Sequence, residues 1–383
     1  MQLRILFVLI LHLYVSTISA QGRLTRKDAT AYAAKAYLEM KNKERNDAEK
    51  EWSNAQIELD SFTMRFKYRI YGNAPADGRS LYISMHGGGG VPAKVNDEQW
   101  NNQIGLYKPE EGVYVAPRAT TNTWMLWHEA NIDDMFDRLI LDAVITQGVN
   151  PDKVYLLGYS AGGDGAFQLA PRMADRFAAA SMMAGHPGDA RPYNLRNLPF
   201  SMFIGEFDAA YNRNKLVPEY SALLDSIRNT DTAGYIHQLH VYPTGHWMDR
   251  KDTIAVPWMA QYKRNPAPDK VYWRQDDRTH NFFYWLEIPA GSAEGGKEAI
   301  ASIKNNTITL LKNDYDTLYI NLNDTLLDLD KKVVVKYQNK VIFNDYVRRD
   351  KTLIDQSITN RKDAGYIFAA RLCVSGTSVT RWK

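Results

Sequence analysis

The sequence predicts an α/β fold, in which a mainly parallel sheet is covered by helices on both faces, followed by a β-rich domain. From residue 81 to residue 242, short apolar runs alternate with helical stretches. Because parallel strands need long crossover connections, this alternation favours a parallel sheet that is buried on both sides. Near residues 265–268 the pattern changes, and strands then follow one another closely. We therefore expect two folded units that meet at about residue 265.

The first twenty residues have the pattern of an export signal. Arg4 provides a positive start, residues 5–15 are apolar, and small residues precede Gln21. The apolar run is too short to span a bilayer as a stable helix, and no other stretch is apolar enough to do so. The sequence thus predicts a secreted or periplasmic protein without a membrane span. The expected domains are a signal peptide (1–20), an N-terminal helical segment (21–60), a catalytic domain (61–265) and a β-rich accessory domain (266–383).

Individual elements follow from the periodicity of apolar residues. Residues 25–52 predict a charged, mostly solvated helix, and a strand pair is expected around residues 64–71. A helix with one apolar face is predicted by three-and-four spacing of Ile132, Met135, Phe136, Leu139, Ile140, Ala143 and Val144. Buried strands are predicted at 81–85, 112–116, 153–157, 178–183, 200–204 and 238–242. In the β-rich part, strands are predicted at 271–273, 282–288, 307–311, 317–322, 326–331, 332–337, 341–346 and 366–374.

Composition excludes several classes of function. A formal net charge of +3 over 383 residues gives no reason to expect nucleic acid or an anionic membrane as a partner. Cys373 is the only cysteine, so no internal disulfide can form, and its apolar neighbours predict a buried packing residue. No group of His, Asp or Cys has metal-ligand spacing, so we expect neither a metal nor another cofactor. The oligomeric state is left open.

A nucleophile motif, G-x-S-x-G, spans residues 158–162. It follows the predicted strand at 153–157 and precedes a helical stretch, which is the setting in which this motif presents a reactive serine. Its glycines permit a sharp turn and a close approach of neighbouring chain. We therefore predict that Ser160 is the nucleophile and that Tyr159 lies beside it.

The base and the acid are expected later in the chain, in the order Ser, then Asp or Glu, then His. His246 follows the predicted strand at 238–242 and is the candidate base. Asp208 follows the strand at 200–204 and lies farther past its end than Glu206, which makes it the preferred acid. Asp189, one strand earlier, remains the alternative.

A glycine-rich loop at residues 86–90 follows another predicted strand. Its composition and position match the loop that offers backbone N–H groups to an oxyanion, where side chains would block the substrate carbonyl. We predict that Gly87 or Gly88 donates one hydrogen bond and the Ala161 N–H the other. Asn96, Asp97, Trp100 and Gln103 are candidates for bracing this loop.

Several other residues are candidates for substrate contact or for supporting the site. They lie beside the motifs or just beyond strand ends, where a substrate would bind. Asp164, adjacent to the nucleophile turn, is expected to cap the following helix. The candidates for substrate binding are His86, Tyr159, His186, Trp124 and Trp247.

Residues 62–262 resemble the esterase branch of the α/β-hydrolase superfamily. The resemblance is carried by Ser-Met-His-Gly-Gly-Gly-Gly at residues 84–90 and by Gly-Tyr-Ser-Ala-Gly-Gly at residues 158–163. The most similar groups are poly(3-hydroxybutyrate) depolymerase-like and feruloyl or acetyl-xylan esterase-like proteins. The resemblance implies a triad of Ser160, Asp208 and His246. It also implies an ester substrate, either an acyl or aryl ester on a polysaccharide or a small acyl ester.

Two other functions remain open. A peptidase of the prolyl-oligopeptidase type shares the triad order, but too few residues precede the core to form the gating propeller of those enzymes. An inactive hydrolase-like protein could instead bind glycan through its aromatic residues, which make up 12% of the chain. The retention of all three triad residues argues against that alternative.

Overall fold

The computed structural model describes residues 24–382, so the predicted signal peptide lies outside the described residues. The described chain begins with helix α1 (Arg26–Asn54), where the Thr25 side chain accepts a hydrogen bond from the Asp28 N–H. Only Ala29, Ala48 and Trp52 of this helix are buried, in agreement with the predicted solvated helix. Between residues 24 and 382, no helix is both long and apolar enough to cross a membrane.

An eight-stranded sheet forms the centre of the first unit. Its strands are β1 (Gln56–Leu59), β2 (Phe62–Tyr71), β3 (Arg79–Met85), β4 (Gly112–Pro117), β5 (Val149–Tyr159), β6 (Ala179–Met183), β7 (Phe200–Gly205) and β8 (His237–Tyr242). The spatial order is β1-β2-β4-β3-β5-β6-β7-β8. Strand β2 is antiparallel to both β1 and β4, and the pairs from β4 to β8 are parallel. The expected boundary at residue 60 falls inside the β1–β2 hairpin, so this sheet already begins at Gln56.

Helices cover both faces of this sheet. They are α2 (Ala93–Gln103), α3 (Asn131–Thr146), α4 (Ala161–Arg172), α5 (Arg213–Thr230) and α6 (Ala255–Met259). Alternate residues of β3 separate the two faces: Leu81 and Ile83 share a core with α3, α4 and α5, whereas Tyr82 shares one with α2 and α6. Strand order, parallel pairing and two covered faces together make this the α/β-hydrolase fold, as the sequence predicts.

The second unit consists mainly of two five-stranded sheets. The strands are β9 (Lys270–Arg274), β10 (Phe282–Phe283), β11 (Leu286–Glu287), β12 (Glu298–Lys304), β13 (Thr307–Asn313), β14 (Leu318–Leu322), β15 (Val333–Tyr337), β16 (Lys340–Asp345), β17 (Ala370–Ser375) and β18 (Ser378–Arg381). One sheet has the order β10-β11-β14-β17-β18 and the other β16-β15-β13-β12-β9. The two sheets are in contact, since the Trp273 ring of β9 lies 6.0 Å from the Phe283 ring of β10, and their apolar side chains belong to a core that they share with the first unit.

The structure of this unit differs from the sequence predictions in several respects. Helix α7 (Lys351–Arg361) and strand β12 were not predicted from the sequence. The predicted strand at 326–331 is wrong, because the Asn323 side chain accepts hydrogen bonds from the Thr325 and Leu326 N–H groups and holds the segment in a turn. Cys373 is only half-buried, since the alternation along β17 places its neighbours on the core face and Cys373 on the other.

The two units are joined by ion pairs of two buried arginines, Arg264 and Arg361. Arg264, at the expected boundary, donates to Asp152 of the first unit (2.7 Å) and to Asp363 of the second (2.7 Å). Asp175 accepts a hydrogen bond from Arg361 at 2.6 Å, and both side chains are buried. Although the two units meet at about residue 265 in the sequence, they are therefore packed closely against each other in the structure.

Candidate active site

Ser160 lies on the sharp turn between β5 and α4. Its backbone is at φ 58°, a region that a residue with a side chain rarely occupies. Neighbouring backbone fills the space beside both motif glycines: a Cβ on Gly158 would lie 2.0 Å from the Gly162 carbonyl oxygen, and one on Gly162 would lie 2.1 Å from that of Met85. Only glycine therefore permits this turn, which holds Ser160 at the carboxyl edge of the sheet.

The structure brings Ser160, His246 and Asp208 together. The His246 Nε2 lies 3.0 Å from the Ser160 Oγ, and the His246 Nδ1 lies 2.7 Å from the Asp208 Oδ2. Asp208 follows β7 and is buried, whereas the His246 side chain, on the loop after β8, is 44% exposed. When the Nδ1–H donates to the carboxylate, Nε2 is left as the acceptor for the serine hydroxyl. The arrangement can remove a proton from Ser160.

The other two candidate acids lie elsewhere. The Asp189 Oδ1 accepts a hydrogen bond from the Gln168 Nε2 at 2.9 Å, and Glu206 is exposed. Asp208 also has a cationic neighbour, with the Arg213 Nη1 3.7 Å from its second oxygen. The sequence contained no signal for this arginine, because it begins helix α5 and reaches the site only through folding.

Tyr159 borders the cleft in front of Ser160 and also holds the histidine loop. Its hydroxyl donates to the His246 carbonyl oxygen at 2.7 Å and accepts from the Met248 N–H at 3.3 Å. Burial raises the pKa of Tyr159 above its ordinary value, so the donor stays protonated. Trp247 lies against it with a ring separation of 5.8 Å, is 48% exposed, and faces the cleft in front of Ser160.

Three backbone N–H groups near Ser160 have no protein acceptor within the described chain. Two belong to Gly87 and Gly88, which follow β3, and the third to Ala161, the first residue of α4. Gly87 is close enough that a Cβ on it would lie 3.2 Å from the Ser160 Cβ. A helix N-terminus favours negative charge, so this edge can receive an oxyanion.

Asn96 of α2 holds the glycine loop in place. Its Oδ1 accepts from the Gly89 N–H at 2.9 Å, while its Nδ2 donates to the Val91 carbonyl (3.2 Å) and to the Asn122 Oδ1 (3.0 Å). The amide is fully buried, and it lies so close to Gly88 that a Cβ there would be 2.1 Å from the Asn96 Oδ1. Of the four bracing candidates, Asn96 contacts the loop directly.

The prediction that His86 contacts substrate is wrong. Its ring is fully buried behind the loop, where Nδ1 donates to the Gly87 carbonyl at 2.6 Å and Nε2 accepts from the Ala119 N–H at 3.2 Å. Burial lowers the pKa of His86 to about 4, so the ring stays neutral and this tautomer is retained. His86 therefore orients the carbonyl next to the candidate oxyanion donors.

His186, Trp124 and Asp164 lie around the turn but do not line the cleft in front of Ser160. The Asp164 carboxylate accepts from the His186 N–H at 2.6 Å, so it ties the turn to the loop after β6 instead of capping α4. The His186 Nδ1 in turn accepts from the Gly188 N–H at 2.8 Å. Trp124 is exposed and packs on Tyr211, with a ring separation of 5.4 Å.

A cleft of about 690 Å³ opens in front of Ser160. It lies between the glycine loop, α2 and the loop after β8, and no acidic side chain lines it in the described structure. Gln103 was a candidate from the sequence, but the other lining residues of α2 (Val95, Gln99 and Asn102) and Arg250 were not. Helical spacing alone does not show which face of a helix borders a site. The lining of the cleft is Gly87, Gly88, Val91, Val95, Gln99, Asn102, Gln103, Gly105, Leu106, Tyr159, Ser160, His246, Trp247 and Arg250.

No three His, Cys, Asp or Glu side chains within residues 24–382 are grouped so that they could hold a metal ion.

Comparison with known proteins shows similarity over only part of the chain. No family model matches the chain. A curated protein from Nocardia uniformis subsp. tsuyamanensis, named "Putative esterase NocK", is 31% identical over 143 residues, which are 33% of this chain and 40% of that protein. The matched part thus spans two fifths of the length of this relative.

Among solved structures, a thermostable esterase matches 55% of this chain and 62% of its own, with a TM-score of 0.40 and 15% identity. The Bacillus cereus carboxylesterase matches 56% of this chain and 98% of its own, with a TM-score of 0.39 and 13% identity. Esterase 2 of Thermogutta terrifontis, in its apo form, matches 54% and 89%, with a TM-score of 0.37 and 17% identity.

Proposed function

We propose that the chain is a secreted serine hydrolase that cleaves carboxylic esters through an acyl-enzyme on Ser160. The observation that carries the proposal is the continuous hydrogen-bonded series from Asp208 through His246 to Ser160, with distances of 2.7 and 3.0 Å. It lies beside the backbone N–H groups of Gly87, Gly88 and Ala161, which have no protein acceptor in the described part of the chain. A buried carboxylate, an imidazole and a hydroxyl in this order are the parts that acyl transfer requires.

The reaction follows from proton positions. His246 Nε2 takes the Ser160 hydroxyl proton as Oγ attacks the ester carbonyl, and the N–H groups of Ala161 and of Gly87 or Gly88 stabilise the oxyanion. The C–O bond to the alcohol then breaks, and His246 returns the proton to the departing alkoxide. Water, deprotonated by the same imidazole, then attacks the seryl ester. The bond between the acyl carbon and Oγ breaks, His246 returns the proton to the Ser160 Oγ, and the acid is released. Asp208 keeps the tautomer and stabilises the imidazolium.

Esters attached to polysaccharides are the proposed physiological substrates. Three large aromatic side chains near the site are well exposed: Phe207 (65%), Trp124 (59%) and Tyr211 (55%). Phe207 adjoins the acid Asp208, and Trp124 packs on Tyr211. These side chains present exposed ring faces on which the apolar face of a sugar can stack. An exported enzyme would meet such polymers outside the cell.

The decisive experiment tests Ser160 directly. Purified protein is incubated with p-nitrophenyl acetate and, separately, with a fluorophosphonate probe that labels activated serines. Ser160→Ala should lose labelling and lose turnover by about a million-fold. The matched control is Ser53→Ala, because Ser53 is an exposed serine on α1 and its replacement should change neither readout.

Other outcomes favour other functions. Preferential cleavage of peptide amides over esters would support a serine peptidase. Absence of both labelling and ester cleavage in a folded protein would favour a glycan-binding protein. Retained ester cleavage in Ser160→Ala would mean that another residue is the nucleophile.

A second experiment tests the polysaccharide substrate. Trp124→Ala should reduce release of acetate from acetylated xylan more than release from p-nitrophenyl acetate. Trp382→Ala, which removes an exposed tryptophan of the C-terminal unit, is the matched control. Equal loss on both substrates would remove the support for polymer binding at Trp124.

Export is tested by the N-terminus of the secreted protein. Cleavage after Ala20 should give a mature chain that begins at Gln21. Retention of the first twenty residues in a cytoplasmic product would contradict it.

A further inference from the structure

Among the described residues, Arg250 is the one lysine or arginine that lines the cleft in front of Ser160. It lies four residues after His246, and both Asp249 (φ 52°) and Arg250 (φ 62°) have left-handed backbone. Non-glycine residues avoid this region, so two in succession indicate a loop held by its surroundings. Two residues after Arg250, buried Asp252 accepts a hydrogen bond from the Tyr107 hydroxyl, which anchors the loop to the segment after α2.

The Arg250 guanidinium has no carboxylate partner within ion-pair distance in the described part of the chain. Its one hydrogen bond runs from Nη2 to the Leu106 carbonyl oxygen at 2.6 Å, across the cleft wall. The nearby Asp252 carboxyl is buried beneath the loop and is occupied by Tyr107. Since arginine presents five N–H donors in a fork that fits a carboxylate, most of its donors remain available to a bound anion.

The rest of the cleft complements an anion with an apolar body. Val95, Leu106 and Trp247 supply apolar surface, and Gln99 and Asn102 supply neutral amides. With no acidic side chain in the lining, nothing there repels a negatively charged substrate.

We propose that Arg250 is a specificity-determining residue that selects esters carrying a carboxylate within reach of the scissile bond. This inference rests on the proposed function and names the substrate class of the same site. The carboxylate forms a charge-assisted hydrogen bond with the guanidinium while the ester carbonyl faces Ser160. Acidic acyl groups and acidic alcohol groups both present this chemistry.

The test compares matched pairs of charged and neutral esters. On the alcohol side, para-acetoxybenzoate is compared with its methyl ester. On the acyl side, the mono-p-nitrophenyl ester of adipic acid is compared with p-nitrophenyl hexanoate. The readout is the ratio of kcat/KM for the charged ester to that for its neutral partner, so changes in general activity cancel.

We expect the wild-type ratio to exceed one in at least one pair, and that pair identifies which part of the substrate carries the charge. Arg250→Gln should lower this ratio about tenfold, because one charge-assisted hydrogen bond to an exposed group is lost. Arg250→Glu should lower it further, and Arg250→Lys should restore part of it. The preference should also fall as salt is added.

The matched control is Lys251→Gln, which removes a neighbouring positive charge that does not line the cleft. It should leave the ratio unchanged. An unchanged ratio in both Arg250→Gln and Arg250→Glu, or an equal fall in Lys251→Gln, would overturn the proposal. If the wild type cleaves none of these esters, the proposed function is refuted instead. Failure of the proposed function can thus be told apart from failure of the Arg250 proposal.

Discussion

Replacement of Asn96 by alanine tests whether the glycine loop must be held in place for catalysis. Asn96 does not touch Ser160 in the structure; it acts through the loop that carries Gly87 and Gly88. The substitution removes three hydrogen bonds and leaves the buried Gly89 N–H without an acceptor. The loop is then free to move the candidate oxyanion donors away from the serine.

The expected magnitudes follow from these contacts. Orphaning one buried donor costs about 1–3 kcal/mol of folding stability. The Val91 carbonyl and the Asn122 side chain are only partly buried, so water can replace their lost partner at a smaller cost. If one oxyanion donor is misplaced, kcat should fall by about a hundred- to a thousand-fold.

The assay combines kcat on p-nitrophenyl acetate, the rate of fluorophosphonate labelling, and unfolding in urea. The matched control is Trp100→Phe on the same helix, which removes a buried hydrogen bond to the Ala116 carbonyl but no contact with the glycine loop. Both variants should lose stability, and only Asn96→Ala should lose kcat. If folded Asn96→Ala keeps kcat within about threefold of the wild type, the loop does not depend on Asn96 and the reasoning is wrong.

Two further predictions concern stability, each measured by urea unfolding. Burial raises the pKa of Asp164 to about 6, above its ordinary 3.8, so its contribution to stability is present below pH 4 and is lost as the pH rises through 6. Asp164→Asn should therefore lose less stability than the wild type between pH 4 and pH 7, by about 2 kcal/mol, and a parallel pH dependence would refute this. Arg361→Met should cost about 2 kcal/mol, because buried Asp175 keeps Arg176 but loses the charge-assisted hydrogen bond from Arg361. Lys362→Met, which breaks a more exposed pair with Glu44, should cost under about 1 kcal/mol. Equal losses in these two variants would contradict the assignment.

The parts of the fold and site that were predictable are those encoded locally. Strand, turn and helix follow one another directly around Ser160, so their periodicity and the motif glycines are visible in a few neighbouring residues. Asp208 and His246 each follow a predicted parallel strand. Because the carboxyl ends of parallel strands lie at one edge of the sheet, the order of these residues along the chain was enough to predict that they lie close to Ser160.

The parts that were not predictable depend on tertiary packing. His86 has the composition of a binding-loop residue, but the close packing behind Gly87 turns its ring inward. Arg250 reaches the cleft only because a buried contact to Asp252 holds its loop. The turn at residues 326–331 has strand-like apolar residues, yet side-chain hydrogen bonds from Asn323 determine its backbone. Such contacts between distant or competing groups leave no periodic signal.

The change of sequence pattern near residue 265 marks the point where the α/β architecture gives way to the β-rich one. It does not separate two independently stable domains. Asp175 of the first unit is buried and has two cationic partners: Arg176 of the same unit and Arg361, which belongs to α7 of the second unit. The Tyr284 N–H, also of the second unit, donates to the same carboxylate at 3.2 Å. Removing the β-rich unit would take away two of these donors and would expose to water the apolar core that the two units share. The two units are therefore expected to unfold together, and the α/β-hydrolase core depends on the β-rich unit for its stability.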